Sequence, residues 1–181
     1  VKLLQTLMLR YLTSIPPGKV RFTIIDPVGL GENFAAFMHL GDYSELLVTS
    51  RIWTETQHID QRLIDLQAHM ENVIQKYLRN EFETIEQYNE YAGEVAEPFR
   101  VLVVANFPAN FNESSIRRLA SIVQSGARCG VFALISFDQK VPLPNEFQIK
   151  DLEQFCVNFS WRDGQIRWRE PHFGGLPLKL D

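Results

Sequence analysis

Three runs of apolar, mostly β-branched or aromatic residues restrict the folds open to this chain. They span residues 20–25, 100–104 and 130–136, and the second and third are apolar at nearly every position. Strands that are apolar on both faces are typical of parallel sheets covered by helices. Because helical segments separate the three runs, the sequence predicts an α/β layer fold with right-handed crossovers.

Apolar residues spaced three and four positions apart predict the helices around these strands. The longest stripe of this kind runs from about residue 58 to residue 82. Shorter helices are predicted over residues 2–13, 34–40, 85–91 and 113–124. The predicted order is therefore helix, strand, three helices, strand, helix and strand.

The last forty residues differ in character, and the chain is predicted to divide into 1–140 and 141–181. Val141-Pro142-Leu143-Pro144 is typical of a linker. Further on, Asp163-Gly164 separates two short aromatic segments, which is a strong signal for a two-residue β-hairpin. One face of this hairpin is predicted to carry Phe159, Trp161, Ile166 and Trp168. Without a basic groove beside it, that face is predicted to pack on the sheet or on a further domain rather than to stack nucleic-acid bases.

Composition limits the functional classes. The 181 residues carry a formal net charge of -4, which argues against strong direct binding of DNA through bulk positive charge. No apolar run approaches the roughly 20 residues of a membrane span, and no signal peptide is visible, so a cytoplasmic location is predicted. Cys129 and Cys156 have no metal-ligand spacing and are predicted to be reduced thiols. The helical pattern already present at Val1 predicts a piece of a longer protein.

Polar and small residues follow the three predicted strands. Asp26 follows the first, Ala105-Asn106 the second and Phe137-Asp138 the third. Because ligand sites of open parallel sheets lie beyond the carboxyl ends of the strands, these residues are predicted to line one rim. Asp26 is predicted to cap the following turn, with a ligand-binding role as the alternative. Gly29-Leu30-Gly31 is predicted to be a turn, with a phosphate loop as the less specific alternative.

Residues 20–27 (VRFTIIDP) resemble the "vrfimIDPK" strand of the FtsK/SpoIIIE family of DNA translocases, which are P-loop NTPases. Residues 99–107 (FRVLVVANF) lie where that family has "pyivvlVDEF". Further similarity is found at residues 39–40, 48–49, 70–71, 85–89 and 119–133. The resemblance covers roughly residues 3–138 with several matching offsets. It implies a P-loop NTPase-like, RecA/FtsK-type sheet flanked by helices and followed by the C-terminal hairpin.

The resemblance also implies that the catalytic groups are absent. Family members bind ATP and Mg²⁺ with a glycine-rich loop, whose Lys-Ser/Thr would fall at or just before Val1, and no GxxxxGK[ST] occurs in the chain. The Walker B Asp-Glu corresponds to Ala105 and Asn106, and the sensor Gln corresponds to Asp138. Phosphoryl transfer depends on such groups for charge stabilisation and positioning. No catalytic residue, metal site or cofactor is therefore predicted in this domain.

The function predicted from this resemblance is that of a catalytically degenerate ATPase domain. It would act as a structural or assembly module of a larger, oligomeric translocase, with other ATPase domains of the same chain or ring as partners. The family implies DNA translocation, chromosome segregation or cell division for the parent protein. A secreted polypeptide is the other implied substrate, since type VII secretion motors also combine FtsK-like domains. The parent could be membrane-associated.

Two other functions stay open from the sequence. One is an active ATPase whose phosphate loop lies upstream of Val1, with Asp26 and Asp138 as the only carboxylates available at the rim. The other is a protein–protein interaction module of a secretion-type ATPase, which would use the acidic helical segment near residues 81–94 or the aromatic hairpin. The latter predicts exposed apolar side chains on the hairpin.

Overall fold

The computed structural model describes residues 1–49, 51–79, 81–144, 147–172 and 177–178. The chain divides into two compact units, Val1–Pro142 and Leu143–Asp181. Each unit is described by itself. Among the described residues, no helix combines the length and the apolar character that crossing a membrane requires.

The first unit is built on a parallel sheet of three strands, β1 (Val20–Ile25), β2 (Phe99–Phe107) and β3 (Val131–Phe137), in the order β1-β2-β3. The register pairs Phe22 with Val101 and Val101 with Phe132. All three predicted strands are present and parallel, which confirms the α/β layer fold expected from their apolar composition. The described part of β3 pairs only with β2, and its side chains after Val131 are only partly buried, unlike those of β2.

The helices lie close to their predicted positions. They are α1 (Lys2–Ser14), α2 (Thr56–Val73), α3 (Ile85–Ala92) and α4 (Glu113–Ser125). Three short 3₁₀ segments span Glu32–Asp42, Gly93–Val95 and Ala127–Cys129. The segment predicted as a short helix over residues 34–40 is therefore a 3₁₀ helix. The long predicted helix ends earlier than expected, since α2 continues as a π-helical turn over Ile74–Leu78, and Asn80 lies outside the described residues.

Helices cover both faces of the sheet. One face carries a hydrophobic cluster with α1 and the first 3₁₀ helix, which includes Met8, Phe22, Phe34, Val103 and Ala105. Since side chains alternate along a strand, the neighbouring positions of β1 and β2 point to the opposite face. There, α2 and α4 pack against each other and bury their own apolar stripes. The sheet is thus the middle layer of three.

The second unit contains the short helix α5 (Lys150–Glu153) and an antiparallel sheet of β4 (Phe159–Arg162), β5 (Gln165–Trp168) and β6 (Pro177–Leu178). The hairpin is confirmed: Asp163 and Gly164 have φ angles of 52° and 76°, the left-handed conformation that a type I′ turn requires. The short α5 and β6 have no counterpart among the predicted elements. On the predicted aromatic face, Ile166 is buried and Trp161 is 67% exposed.

Candidate functional site

The parallel order brings the carboxyl ends of β1, β2 and β3 to the same edge of the sheet. Asp26 and Asp138 directly follow β1 and β3, and Asn106 is the penultimate residue of β2. Two hydrogen bonds join the ends of β2 and β3: Asn106 N donates to Ser136 Oγ at 2.9 Å, and Asp138 N donates to the Phe107 carbonyl at 2.8 Å. This edge is the place at which a nucleotide site of an α/β sheet would lie.

Asp26 is fully buried, and hydrogen bonds within the following turn occupy its carboxylate. Gly29 N donates to Oδ1 at 3.1 Å, and Asn33 Nδ2 donates to Oδ2 at 3.0 Å. The Asn33 carbonyl in turn accepts from Gln5 Nε2 of α1 at 2.6 Å. Asp26 therefore has the geometry of the turn cap considered for it, and it links β1 to α1 through Asn33.

The turn at Gly29-Leu30-Gly31 has steric requirements of its own. A Cβ placed on Gly29 would lie 2.0 Å from Asn33 Nδ2 and 2.5 Å from an Asp26 carboxylate oxygen. Gly31, which precedes the first 3₁₀ helix, has a φ of 87°, a conformation that favours glycine. Lack of space at Gly29 and the backbone conformation at Gly31 therefore account for the two glycines. The exposed Leu30 sits between them. These features match the predicted turn, and the glycines need no phosphate to account for them.

Ala105 does not line the rim, which corrects the prediction made from its place at the end of β2. Its exposed fraction is 0%, and it belongs to the hydrophobic cluster beneath α1, with Leu4, Met8 and Val103. The reason is the alternation of side chains, since residues 101, 103 and 105 share the face that α1 covers. A carboxylate at this position would lie in an apolar environment.

Asn106 adopts a left-handed backbone conformation with a φ of 56°. The β2–β3 register is irregular between Val104 and Phe107, so the strand departs from regular pairing at this residue. Its carbonyl accepts from Ala109 N at 2.9 Å. Asparagine tolerates this conformation better than glutamate does. The backbone at residue 106, the position that the resemblance aligns with the second Walker B residue, is thus suited to the asparagine that is present.

The Asp138 carboxylate also forms a hydrogen bond within its own turn, since its Oδ1 accepts from Lys140 N at 3.0 Å. The preceding Phe137 packs against Phe107, with ring centroids 6.3 Å apart, and Phe107 packs against Phe111 at 5.2 Å. Since β2 separates β1 from β3, roughly 10 Å lies between the strand ends that carry Asp26 and Asp138. The two rim carboxylates are therefore not a pair.

The rim does not fit Mg²⁺-ATP. Each oxygen of its buried carboxylate already accepts a hydrogen bond from the turn, its central position is an alanine inside the core, and aromatic rings lie on the β3 side. Among the residues that the structure describes, no cluster of three or more His, Cys, Asp or Glu side chains could hold a metal ion. Cys129 and Cys156 are free thiols, and burial raises the pKa of each.

A group of basic side chains lies at the other end of the sheet, and the sequence-based prediction missed it. Arg21 and Arg100 are register partners on β1 and β2, and both lower the pKa of His69 on α2. The signal available in the sequence was an arginine at or next to the start of two predicted strands, Arg21 in residues 20–25 and Arg100 in residues 100–104. Without knowledge of the pairing register, this signal does not show that the two side chains meet.

No family model matches the chain, and no curated protein matches it. Similar solved structures include EssC (ATPases 2 and 3) from Geobacillus thermodenitrificans, in its selenomethionine form, with a TM-score of 0.57 and 16% identity over 83% of this chain. The cytoplasmic domain of EssC is also similar, with a TM-score of 0.58 and 18% identity over 83% of this chain. The chain spans 27% and 28% of the length of these two structures.

At these identities the likeness shows the fold. The chain has an α/β architecture like that of the EssC ATPase domains, in agreement with the fold class predicted from the sequence. Neither structure is described in terms of DNA or cell division, so those two functional expectations stay predictions.

Proposed function

We propose that this chain is a catalytically inactive ATPase-like domain that serves as a structural or assembly module of a larger, secretion-type ATPase. The main support is the position of Ala105, which lies fully buried in the apolar cluster at the place where the family would carry its metal-binding Asp. The fold is retained around a strand end whose side chain and backbone no longer suit catalysis. Such a combination is expected of a domain kept for its shape.

The partners proposed for the module are other ATPase domains of the same polypeptide or ring, in the cytoplasm. The likeness to a solved chain that contains ATPases 2 and 3 of EssC supports this choice, since this chain spans only about a quarter of it. The same neighbours support a secretion-type parent over a DNA translocase. The net charge of -4 also disfavours a role in gripping duplex DNA.

The related function of a protein–protein interaction module is favoured by a separate observation. Within Leu143–Asp181, several large apolar side chains are exposed: Phe155, Val157, Phe159 and Trp161. Phe159 and Trp161 lie two residues apart on β4 and therefore on the same face, and contiguous exposed apolar patches often mark interaction surfaces. The two proposals are compatible, because an inactive ATPase-like domain acts through the surfaces it offers to its neighbours.

ATP binding and turnover test the proposal. The 181-residue chain, and the longer protein that contains it, are assayed with Mg²⁺-ATP, and the longer protein is assayed again with Asp138→Asn. Unchanged turnover in this variant, together with loss of assembly on deleting the domain, is the expected result. A large fall in turnover caused by Asp138→Asn would favour an active site at the rim. Normal assembly without the domain would contradict the module function.

A further inference from the structure

A basic group lies at the amino end of the sheet, on the face opposite the α1 cluster. Arg21 and Arg100 are register partners on neighbouring parallel strands, whose backbones run roughly 5 Å apart. Neither arginine belongs to the hydrophobic cluster under α1, which uses Val20, Phe22 and Val101 from the adjoining positions. Both guanidinium groups therefore point to the side of α2. There, His69 lies close enough for their positive charges to lower the pKa of its imidazole.

The negative charge in this group does not balance the positive charge. Glu97 Oε1 lies 3.7 Å from an Arg100 guanidinium nitrogen, and its Oε2 accepts from the Tyr77 hydroxyl at 3.2 Å. Arg21 has no hydrogen bond or ion pair with any residue in the described ranges, although it is partly buried. Burial, followed by the charges of Arg100 and Arg21, lowers the pKa of His69 to about 4, so this imidazole is neutral at pH 7. The group thus carries one positive charge in excess.

Three nitrogen atoms in this group are shielded from solvent and have no hydrogen-bond partner among the described residues. They are Arg21 Nε, Arg100 Nε and His69 Nε2. A buried donor without a partner costs about 1–3 kcal/mol, and a charged one costs more. Two neighbouring guanidinium groups also repel each other, and the positive charge of Arg21 lowers the pKa of Arg100 further after burial has lowered it. A bound anion that contacts the terminal Nη nitrogens, which are not among these shielded atoms, would offset the repulsion.

We propose that Arg21, Arg100 and His69 form a binding site for a phosphate-type oxyanion. Guanidinium groups match the oxygen spacing of phosphate with paired N–H donors, and the Nε2–H tautomer of a neutral histidine adds a further donor. The site uses none of the rim residues Asp26, Asn106 and Asp138, because it lies at the opposite end of the strands. It therefore does not depend on whether the rim is catalytically inactive.

The probe is inorganic phosphate, titrated into the 181-residue chain at constant ionic strength with sodium chloride as the balancing salt. The histidine ring signals are followed by ¹H–¹⁵N NMR, which resolves His69 from the more exposed His39 and His58. A saturable shift of the His69 signals, with an upward change in its pKa, is expected because the anion offsets the arginine charges. His39 and His58 serve as internal references.

Variants locate the site. Arg21→Gln and Arg100→Gln should each weaken phosphate binding roughly tenfold or more, since each removes a charged donor. Arg167→Gln removes the same charge from an exposed position on β5 and should leave binding unchanged. If either glutamine variant fails to fold, Arg21→Lys keeps the charge but loses the planar fork, and several-fold weaker binding is expected. Amide spectra of each variant report whether the fold is retained.

Several outcomes would overturn the proposal. They are a His69 shift that chloride alone reproduces, the absence of any saturable shift, and full retention of binding in both glutamine variants. ATP separates this site from the rim. If Arg100→Gln abolishes ATP binding, the bound ATP is assigned to the basic group. If ATP binding survives Arg100→Gln and is weakened by Asp138→Asn, the proposal that the rim is catalytically inactive is contradicted instead.

Discussion

Restoring the missing aspartate with Ala105→Asp is expected to destabilise the fold without creating an ATPase. The Ala105 side chain is fully buried in a cluster whose buried members, among them Met8 and Val103, are all apolar. Burial raises the pKa of such a carboxyl by roughly 3–5 pH units. At about 1.4 kcal/mol per unit, the lower figure gives an ionisation cost of about 4 kcal/mol at pH 8.

This cost depends on pH in a defined direction. A carboxyl whose pKa is raised on folding releases its proton more readily in the unfolded state, so the free energy of unfolding falls as the pH rises above about 4. For the same rise of about 3 pH units, the ionisation cost is about 1.5 kcal/mol at pH 5. The variant should therefore recover roughly 2.5 kcal/mol between pH 8 and pH 5.

Ala105→Asn is the matched control, because asparagine has nearly the same size and polarity but cannot ionise. Urea unfolding of both variants, followed by circular dichroism at pH 5 and pH 8, isolates the ionisation cost as the difference between them. Equal stability of the two variants at pH 8 would refute the reasoning, since it would mean that a carboxylate at this position reaches water or a cation. ATP turnover by Ala105→Asp would contradict the proposed loss of function directly.

Other substitutions test the remaining structural arguments. Gly29→Ala should cost about 2 kcal/mol or more, because its Cβ would meet Asn33 and Asp26, whereas Gly41→Ala, with 3.9 Å of clearance, is the control that should be nearly neutral. Asn106→Glu should cost about 1 kcal/mol and Asn106→Gly should be tolerated, given the φ of 56°. On the hairpin, Ile166→Ala should cost about 2–4 kcal/mol and Trp161→Ser less than about 0.5 kcal/mol, because only Ile166 is buried. Thermal and urea denaturation measure all of these, and the reverse order within any pair would contradict the corresponding contact.

Much of the local structure was predictable because hydrophobic periodicity is a property of neighbouring residues. The stripes of α1, α2 and α4 and the apolar runs of β2 and β3 mark these elements to within a few residues. Asp163-Gly164 specified the hairpin through backbone conformation alone. The π-helical end of α2 and the 3₁₀ form of Glu32–Asp42 were missed, since a period near 3.6 does not separate these helices from α-helix.

The amino-acid sequence by itself determined which segments are helices and strands, and that no Asp-Glu pair follows β2. The tertiary structure alone decided in which direction the side chains at the end of β2 point. Ala105 faces the core because strand alternation continues to it, and the irregular register after Val104 then turns Asn106 into a left-handed conformation. The meeting of Arg21, Arg100 and His69 likewise depends on the pairing of β1 with β2 and on the layer formed by α2. Such juxtapositions arise from long-range packing, which a pattern of nearby residues does not encode.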